Sequence, residues 1–150
     1  MLSSKVKDFV GENKNDVFPD FTPLNKEELN KHKFQLKKVF ECHPDMPVTN
    51  IYRKIVEASI LIPNVNAKYD EINIYDLLVS QNINPDMTIY IDWLSFDDVD
   101  RMELSLFTKY FDDIWYPGAD DIYIYDKTFS WFLHIAHYGA ITITKGIKKA

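Results

Sequence analysis

The sequence has little of what would identify an enzyme or a disulfide-stabilised scaffold. It contains one cysteine, Cys42, so no disulfide can form within the chain, and only four glycines. Phosphate-cradling loops need closely spaced glycines, and no GxGxxG, Walker, HExxH, CxxC or GxSxG motif occurs. These absences disfavour nucleotide-dependent and zinc-protease chemistry, and we expect no cofactor.

Long apolar segments are also missing. The first residues are interrupted by Lys5, Lys7 and Asp8, unlike a signal peptide. The longest uncharged stretch of the second half, 128–144, carries two histidines and alternates like a strand. Nothing approaches the roughly 20 apolar residues of a membrane-spanning helix. We therefore expect a cytoplasmic protein without a membrane partner.

The composition is that of a folded globular domain. Hydrophobic residues make up 46% of the chain, aromatic residues 15% and charged residues 27%, which leaves ample apolar bulk for a core. No internal repeat or Gly/Ser-rich linker divides the sequence. We expect residues 1–150 to form a single domain.

Acidic residues are concentrated in the second half of the chain. The formal net charge is −6, and two basic residues stand against eleven acidic ones between positions 86 and 126. Such a field repels nucleic acid and attracts basic proteins, although a merely solvated acidic face is the alternative. The eleven are Asp86, Asp92, Asp97, Asp98, Asp100, Glu103, Asp112, Asp113, Asp120, Asp121 and Asp126.

Helical patterns come early in the chain. Val6, Phe9 and Val10 indicate a short first helix. Asn25 is a suitable N-cap for a second helix, with Glu28 as its capping-box partner. A third helix is predicted from Thr49 or Asn50 to about Leu61, and a short one over 74–80.

Strand patterns come late in the chain. Residues 87–94 alternate and predict a strand, 95–100 a loop and helix start, and 102–115 a helix. Three further strands are predicted over 121–126, 131–137 and 140–144, the last two joined by a turn at Tyr138 and Gly139. The order predicts an α+β fold with N-terminal helices packed on a C-terminal antiparallel meander.

Acidic and aromatic residues near the predicted turns are candidates for binding a partner. If Ile122 and Ile124 face the helices, Tyr123 and Tyr125 on the same strand face solvent, where tyrosine is a favoured binding residue. Asp120 or Asp121 is also suited to bracing the turn before that strand. The partner-binding candidates are Asp97, Asp98, Asp112, Asp113, Tyr116, Asp120, Asp121, Tyr123 and Tyr125.

Metal or hydrolytic chemistry is the weaker interpretation. The acidic pairs do not have the spacing of an EF-hand loop. Strand alternation predicts that His134 and His137 point to opposite faces, so they would not share one metal. Cys42 and His43 are adjacent in sequence, which is no indication of a nucleophilic pair; we expect a buried cysteine and a surface histidine. We therefore expect no catalytic residues and no metal.

The C-terminal part of the chain resembles a known class of protein. The segments 111–117 (FDDIWYP) and 120–126 (DDIYIYD), followed by Trp131, His137 and Gly139, resemble small bacterial immunity proteins of polymorphic or contact-dependent toxin systems. The resemblance extends from about Thr108 onward. It implies a protein that neutralises a cognate toxin domain by binding it. We expect that toxin domain to be basic. A small cytoplasmic adaptor domain with a solvated acidic face is the alternative.

Overall fold

The strands pair into one antiparallel sheet. The structure is a computed structural model that describes residues 1–12, 17–94 and 96–146. Within them the seven strands have the order β1-β4-β3-β5-β6-β7-β2 across the sheet. Their bounds are β1 Phe21–Pro23, β2 Ile60–Leu61, β3 Thr88–Asp92, β4 Val99–Glu103, β5 Ile122–Tyr125, β6 Trp131–Ile135 and β7 Ile141–Lys145.

Six helices are present in the described residues, and they confirm the predicted α+β class. None of them is long and apolar enough to cross a membrane. Their bounds are α1 Ser3–Glu12, α2 Lys26–Val39, α3 Thr49–Glu57, α4 Ile74–Ser80, α5 Leu104–Lys109 and α6 Phe111–Ile114.

Both faces of the sheet are covered. One face buries the isoleucine-rich side of the strands in a core that contains Phe9 of α1, Leu78 of α4 and Phe107 of α5. The other face lies in a second core with Leu36 of α2 and residues of α3. The sheet is therefore the middle of three layers, which leaves neither strand face as an open binding surface.

Local sequence signals account for several elements. The capping box of α2 is confirmed: Glu28 N donates to Asn25 Oδ1 at 2.9 Å, and Asn25 N donates to Glu28 Oε2 at 3.1 Å. The meander is confirmed as the antiparallel neighbours β5, β6 and β7. The third helix ends at Glu57, earlier than predicted, because residues 60–61 pair with β7.

The strand β4 was not predicted from the sequence. Residues 99–103 pair with β3 rather than opening a helix, and the missed β1 pairs with β4 on its other side. Ser95, where the loop was predicted to begin, lies outside the described residues. The apolar alternation that predicts a strand is broken in this segment. Asp100 lies opposite Ile91, so a carboxylate occupies a core-facing position of the strand.

The segments that connect the strands lie at two ends of the sheet. Because the strands are antiparallel, β3 and β6 end where β4, β5 and β7 begin. We call this the acidic end; it comprises residues 93–94, 96–98, 112–121 and 136–140. The opposite end comprises residues 82–88, 126–130 and 145–146, and we call it the Asp126 end.

Candidate functional site

The loop between β3 and β4 is held in a strained shape. Leu94 and Phe96 have φ values of +67° and +52°. Such backbone costs on the order of 1–3 kcal/mol per residue and persists only where the surroundings impose it. Phe96 N donates to Asp92 Oδ1 at 3.0 Å, and the Phe96 ring stacks on Tyr52 at 4.2 Å. The Asp92 carboxylate and the packing of the Phe96 ring on Tyr52 therefore fix the conformation of the loop.

The outer residues of this loop are exposed. Leu94 is 43% exposed, and Asp97 and Asp98 follow it as exposed carboxylates. Asp97 forms an ion pair with Lys33 of α2, and Asp98 lies 3.2 Å from the amino group of Met1. An apolar side chain beside carboxylates on a preorganised loop is suited to contacting a protein partner.

Carboxylates surround Tyr116 on the other side of this end. The Tyr116 hydroxyl lies 3.5 Å from Asp8 Oδ2. Partial burial raises the pKa of Tyr116, and the charges of Asp8, Asp113 and Glu12 raise it further. Asp112 is exposed on the same short helix as Asp113. The predicted residues Asp112, Asp113 and Tyr116 thus come together, with two carboxylates of α1 added.

Lys5 joins the loop to the Tyr116 region. Its side chain is 1% exposed, and its ammonium nitrogen lies 3.6 Å from the ring centroid of Tyr116 and 5.3 Å from that of Trp93. The same ammonium forms an ion pair with Asp120. The loop, α1 and the segment after α6 therefore form one connected surface.

Asp120 and Asp121 both brace backbone. Asp120 is buried and accepts a hydrogen bond from Tyr116 N at 2.7 Å, and Asp121 accepts one from His137 N at 3.0 Å. The predicted bracing of the turn before β5 is confirmed for Asp120, whereas Asp121 braces the chain after β6 instead. The expectation that Asp120 is an exposed binding residue is wrong, because its carboxylate is turned inward to neutralise buried Lys5.

The two C-terminal histidines reach the same carboxylate. His137 Nδ1 lies 3.0 Å and His134 Nε2 3.5 Å from oxygens of Asp121. The prediction of opposite faces is wrong because β6 ends at Ile135 and the chain turns before His137. Burial lowers the pKa of His134. In the described parts of the chain, no group of three His, Cys, Asp or Glu side chains is arranged to hold a metal ion.

The prediction that Tyr123 and Tyr125 face solvent is wrong. They are 3% and 0% exposed and belong to the core beneath α2 and α3. The Tyr125 hydroxyl lies 2.8 Å from His32 Nε2, and the Tyr123 ring lies 5.3 Å from that of Tyr52. The expectation assumed helices on one face of the sheet only, and the second helical layer buries these rings.

Four of the eleven acidic residues between positions 86 and 126 are buried, so the surface is less acidic than the sequence suggests. Asp100, for example, accepts a hydrogen bond from Trp93 Nε1 at 2.8 Å and lies 2.6 Å from the amino group of Met1. Each of the four carboxylates holds neighbouring chain in place instead of facing solvent. The buried residues are Asp92, Asp100, Asp120 and Asp126.

Cys42 and His43 have separate surroundings. Cys42 is partly exposed rather than buried, and its thiol lies 3.8 Å from the carbonyl oxygen of Phe40. His43 is exposed as expected, and its Nδ1 accepts a hydrogen bond from Asp45 N at 3.2 Å. This geometry does not support a nucleophilic role for Cys42.

Asp8, Glu12 and Leu94 were not predicted as site residues from the sequence. Asp8 and Glu12 are four residues apart on α1, a spacing that places both on one helix face. The sequence therefore indicated that Asp8 and Glu12 share a helix face. Only the packing of α1 beside α6 brings that face to Tyr116. Leu94 carried no signal, because its exposure depends on the backbone shape of the loop.

The acidic end brings together residue types that are common in protein-binding surfaces. Tyrosine is enriched among the residues that dominate protein interfaces, and carboxylates select a basic partner. No protein-family model matches this sequence, and neither characterised proteins nor solved structures gave a match. The functional proposal therefore depends on the chain's own geometry and on the resemblance noted above.

Proposed function

We propose that this protein is a bacterial immunity protein that binds and neutralises a basic toxin domain in the cytoplasm. The observation that supports this best is the half-buried Tyr116, whose hydroxyl lies 3.5 Å from Asp8 Oδ2 and whose pKa is raised by burial and further by the charges of Asp113 and Glu12. The strained loop carrying Leu94 adds an apolar contact beside it. The C-terminal resemblance to immunity proteins points in the same direction.

Neutralisation would proceed by occlusion, without catalysis. An acidic surface steers a basic partner and can raise association rates toward about 10⁸–10⁹ M⁻¹s⁻¹ at low salt. Carboxylates such as those of Asp112 and Asp113 would then occupy the positions of substrate phosphates if the toxin is a nuclease. Binding should weaken as salt rises, since the Debye length falls from about 10 Å at 0.1 M to about 3 Å at 1 M.

The test is a binding titration against the product of the adjacent gene. We expect Asp112→Lys with Asp113→Lys to weaken binding by about 100-fold or more, because like charges then face the basic partner. The matched control reverses two exposed glutamates elsewhere, Glu57→Lys with Glu71→Lys, and carries the same change in net charge.

Equal binding by the two double variants would contradict the proposal. It would mean that only overall charge matters, as in an adaptor domain with a solvated acidic face. Absence of binding by the wild type, in a preparation that melts cooperatively, would also reject this partner. Cys42→Ser should leave neutralisation intact, since the thiol lies against the carbonyl oxygen of Phe40 and takes part in none of the proposed contacts.

A further inference from the structure

A groove of about 360 Å³ runs along α2 and the turn that follows this helix. Phe34 is 62% exposed at this groove, an unusual degree for a large aromatic side chain. The groove has an apolar part and a basic part. Its principal lining residues are Phe34, Cys42 and Pro44 on the apolar part, and Lys33, Lys37 and Lys38 on the basic part.

The wall of the groove is fixed by the way α2 ends. Glu41 has φ +53°, Cys42 N donates to the carbonyl oxygen of Lys37 at 2.8 Å, and Glu41 N donates to that of Lys38 at 3.2 Å. This pair of bonds is the Schellman motif. Lys37 Nζ also donates to the carbonyl oxygen of Pro44 at 2.7 Å. The groove is therefore preformed and does not need to be opened by a ligand.

The charge of the groove is opposite to that of the whole chain. Three lysines and no carboxylate line it, although the net charge of the protein is −6. Lys33 is neutralised by Asp97. Among the described residues, no carboxylate oxygen lies within ion-pair distance of Lys37 or Lys38, so their charges are available to a ligand.

We propose that the α2 groove binds an acidic peptide segment of another protein. An apolar side chain of that segment lies against Phe34 and Cys42, and its carboxylates lie against Lys37 and Lys38. The volume is within the range of binding sites and accommodates side chains of a peptide. The Phe34 ring offers a large apolar contact area, and the ammonium groups beside it attract the carboxylates of such a ligand. The groove adjoins the acidic end at the Lys33–Asp97 ion pair, but Asp112 and Asp113 do not line it, so this inference does not rest on the proposed function.

The experiment uses three fluorescein-labelled peptides and fluorescence anisotropy on the intact protein. The first has a Leu-Phe core flanked by aspartates, the second the same core flanked by lysines, and the third a Ser-Ser core flanked by aspartates. We expect saturable binding of the first peptide only. Lys37→Glu with Lys38→Glu should weaken it by about tenfold or more, and Phe34→Ala by about fivefold.

Matched controls separate the groove from general effects of charge and exposure. Lys26→Glu with Lys31→Glu changes the charge of the same helix outside the groove and should alter affinity less than about twofold. Tyr75→Ala removes an exposed aromatic ring from α4 and should leave binding unchanged.

Several results would overturn the inference. These are no saturable binding of the first peptide, equal binding of the first and third peptides, or equal losses in the groove variants and their controls. Self-association of the protein that the Lys37 and Lys38 reversals abolish, without peptide binding, would assign the groove to a second copy instead. The Asp112→Lys with Asp113→Lys variant should bind the peptide like the wild type, so failure here is distinct from failure of toxin binding.

Discussion

The two ends of the sheet use aspartate in opposite ways. At the Asp126 end, the buried Asp126 carboxylate accepts hydrogen bonds from Asp86 N at 3.1 Å, Thr128 N at 2.9 Å and Trp131 Nε1 at 3.0 Å. The outer aspartate, Asp86, is neutralised by Lys127 at 3.0 Å, a pairing that lowers the pKa of Asp86. Little acidic charge therefore remains for a partner at this end.

At the acidic end the buried carboxylates support a surface. Asp92 and Asp120 hold the loop and the turn, while Asp112 is exposed at the same end; Asp97 is also exposed but is paired with Lys33. A count of acidic residues does not distinguish these two arrangements, because the difference lies in which donors each carboxylate meets. The comparison shows a structural role for aspartate at the Asp126 end and is the arrangement expected if the acidic end has the proposed binding role.

The largest expected effect is at the Asp126 end. Asp126→Ala should lower the free energy of unfolding by about 3–4 kcal/mol, because it leaves several buried donors without an acceptor. Urea denaturation measures the change. Asp126→Asn, which keeps one acceptor oxygen, should fall between alanine and wild type. A loss below about 1 kcal/mol would mean that water replaces the carboxylate as acceptor and that the buried Asp126 does not stabilise this end.

A glycine comparison tests how tightly the acidic end is built. Gly139 has φ +96°, and a Cβ there would come within 1.9 Å of Asn66 Oδ1 and 2.8 Å of Lys68 N. Gly118 has φ +82° with no atom within 4 Å of the same position. We expect Gly139→Ala to cost about 3 kcal/mol and Gly118→Ala about 1 kcal/mol, since only the first adds a clash to the backbone strain. Equal melting temperatures for the two variants would show that Asn66 moves aside without cost.

A pH experiment tests His32, whose ring lies 5.0 Å from that of Phe129 at the Asp126 end. Burial lowers the pKa of His32 from 6.5 to about 4. Between pH 6.5 and about pH 4 the unfolded chain binds a proton at His32 that the folded chain does not. The contribution of neutral, buried His32 to the free energy of unfolding is therefore complete above pH 6.5 and is lost as the pH falls. From pH 7 to pH 5 this loss is about 2 kcal/mol.

The variant His32→Gln isolates that contribution. The glutamine amide can still bond the Tyr125 hydroxyl but does not titrate. Between pH 7 and pH 5 the variant should therefore lose about 2 kcal/mol less free energy of unfolding than the wild type. Urea denaturation at both pH values measures the difference. Equal losses in wild type and variant would place the acid sensitivity in other groups, such as His134 or the carboxylates.

The smallest expected effect is at the acidic surface. Asp97→Asn and Asp112→Asn should each change the free energy of unfolding by less than about 0.5 kcal/mol, since exposed charges contribute little to stability. The same variants should weaken partner binding. A loss of stability comparable to that of Asp126→Asn would erase the proposed division between a structural and a binding end.

Sequence patterns predicted the elements whose signals are local. The Asn25 capping box, the strand over 88–92 and the turn at Gly139 follow from side-chain chemistry and alternation within a few residues of each. β4 did not follow, because Asp100 breaks its apolar alternation and is tolerated only through Trp93 and the Met1 amino group, the latter distant in sequence. The candidate site was predicted in part: Asp112, Asp113 and Tyr116 come together, whereas Tyr123 and Tyr125 are core.

By itself, the sequence determined the α+β class, the meander and the concentration of carboxylates between positions 86 and 126. Each of these depends on short-range periodicity or on composition. Only the tertiary structure decided which carboxylates face water, that Lys5 lies beneath Tyr116, and that a second helical layer buries Tyr123 and Tyr125. Those outcomes depend on contacts between residues as far apart as Lys5 and Asp120, and no local pattern records which distant group a side chain will meet.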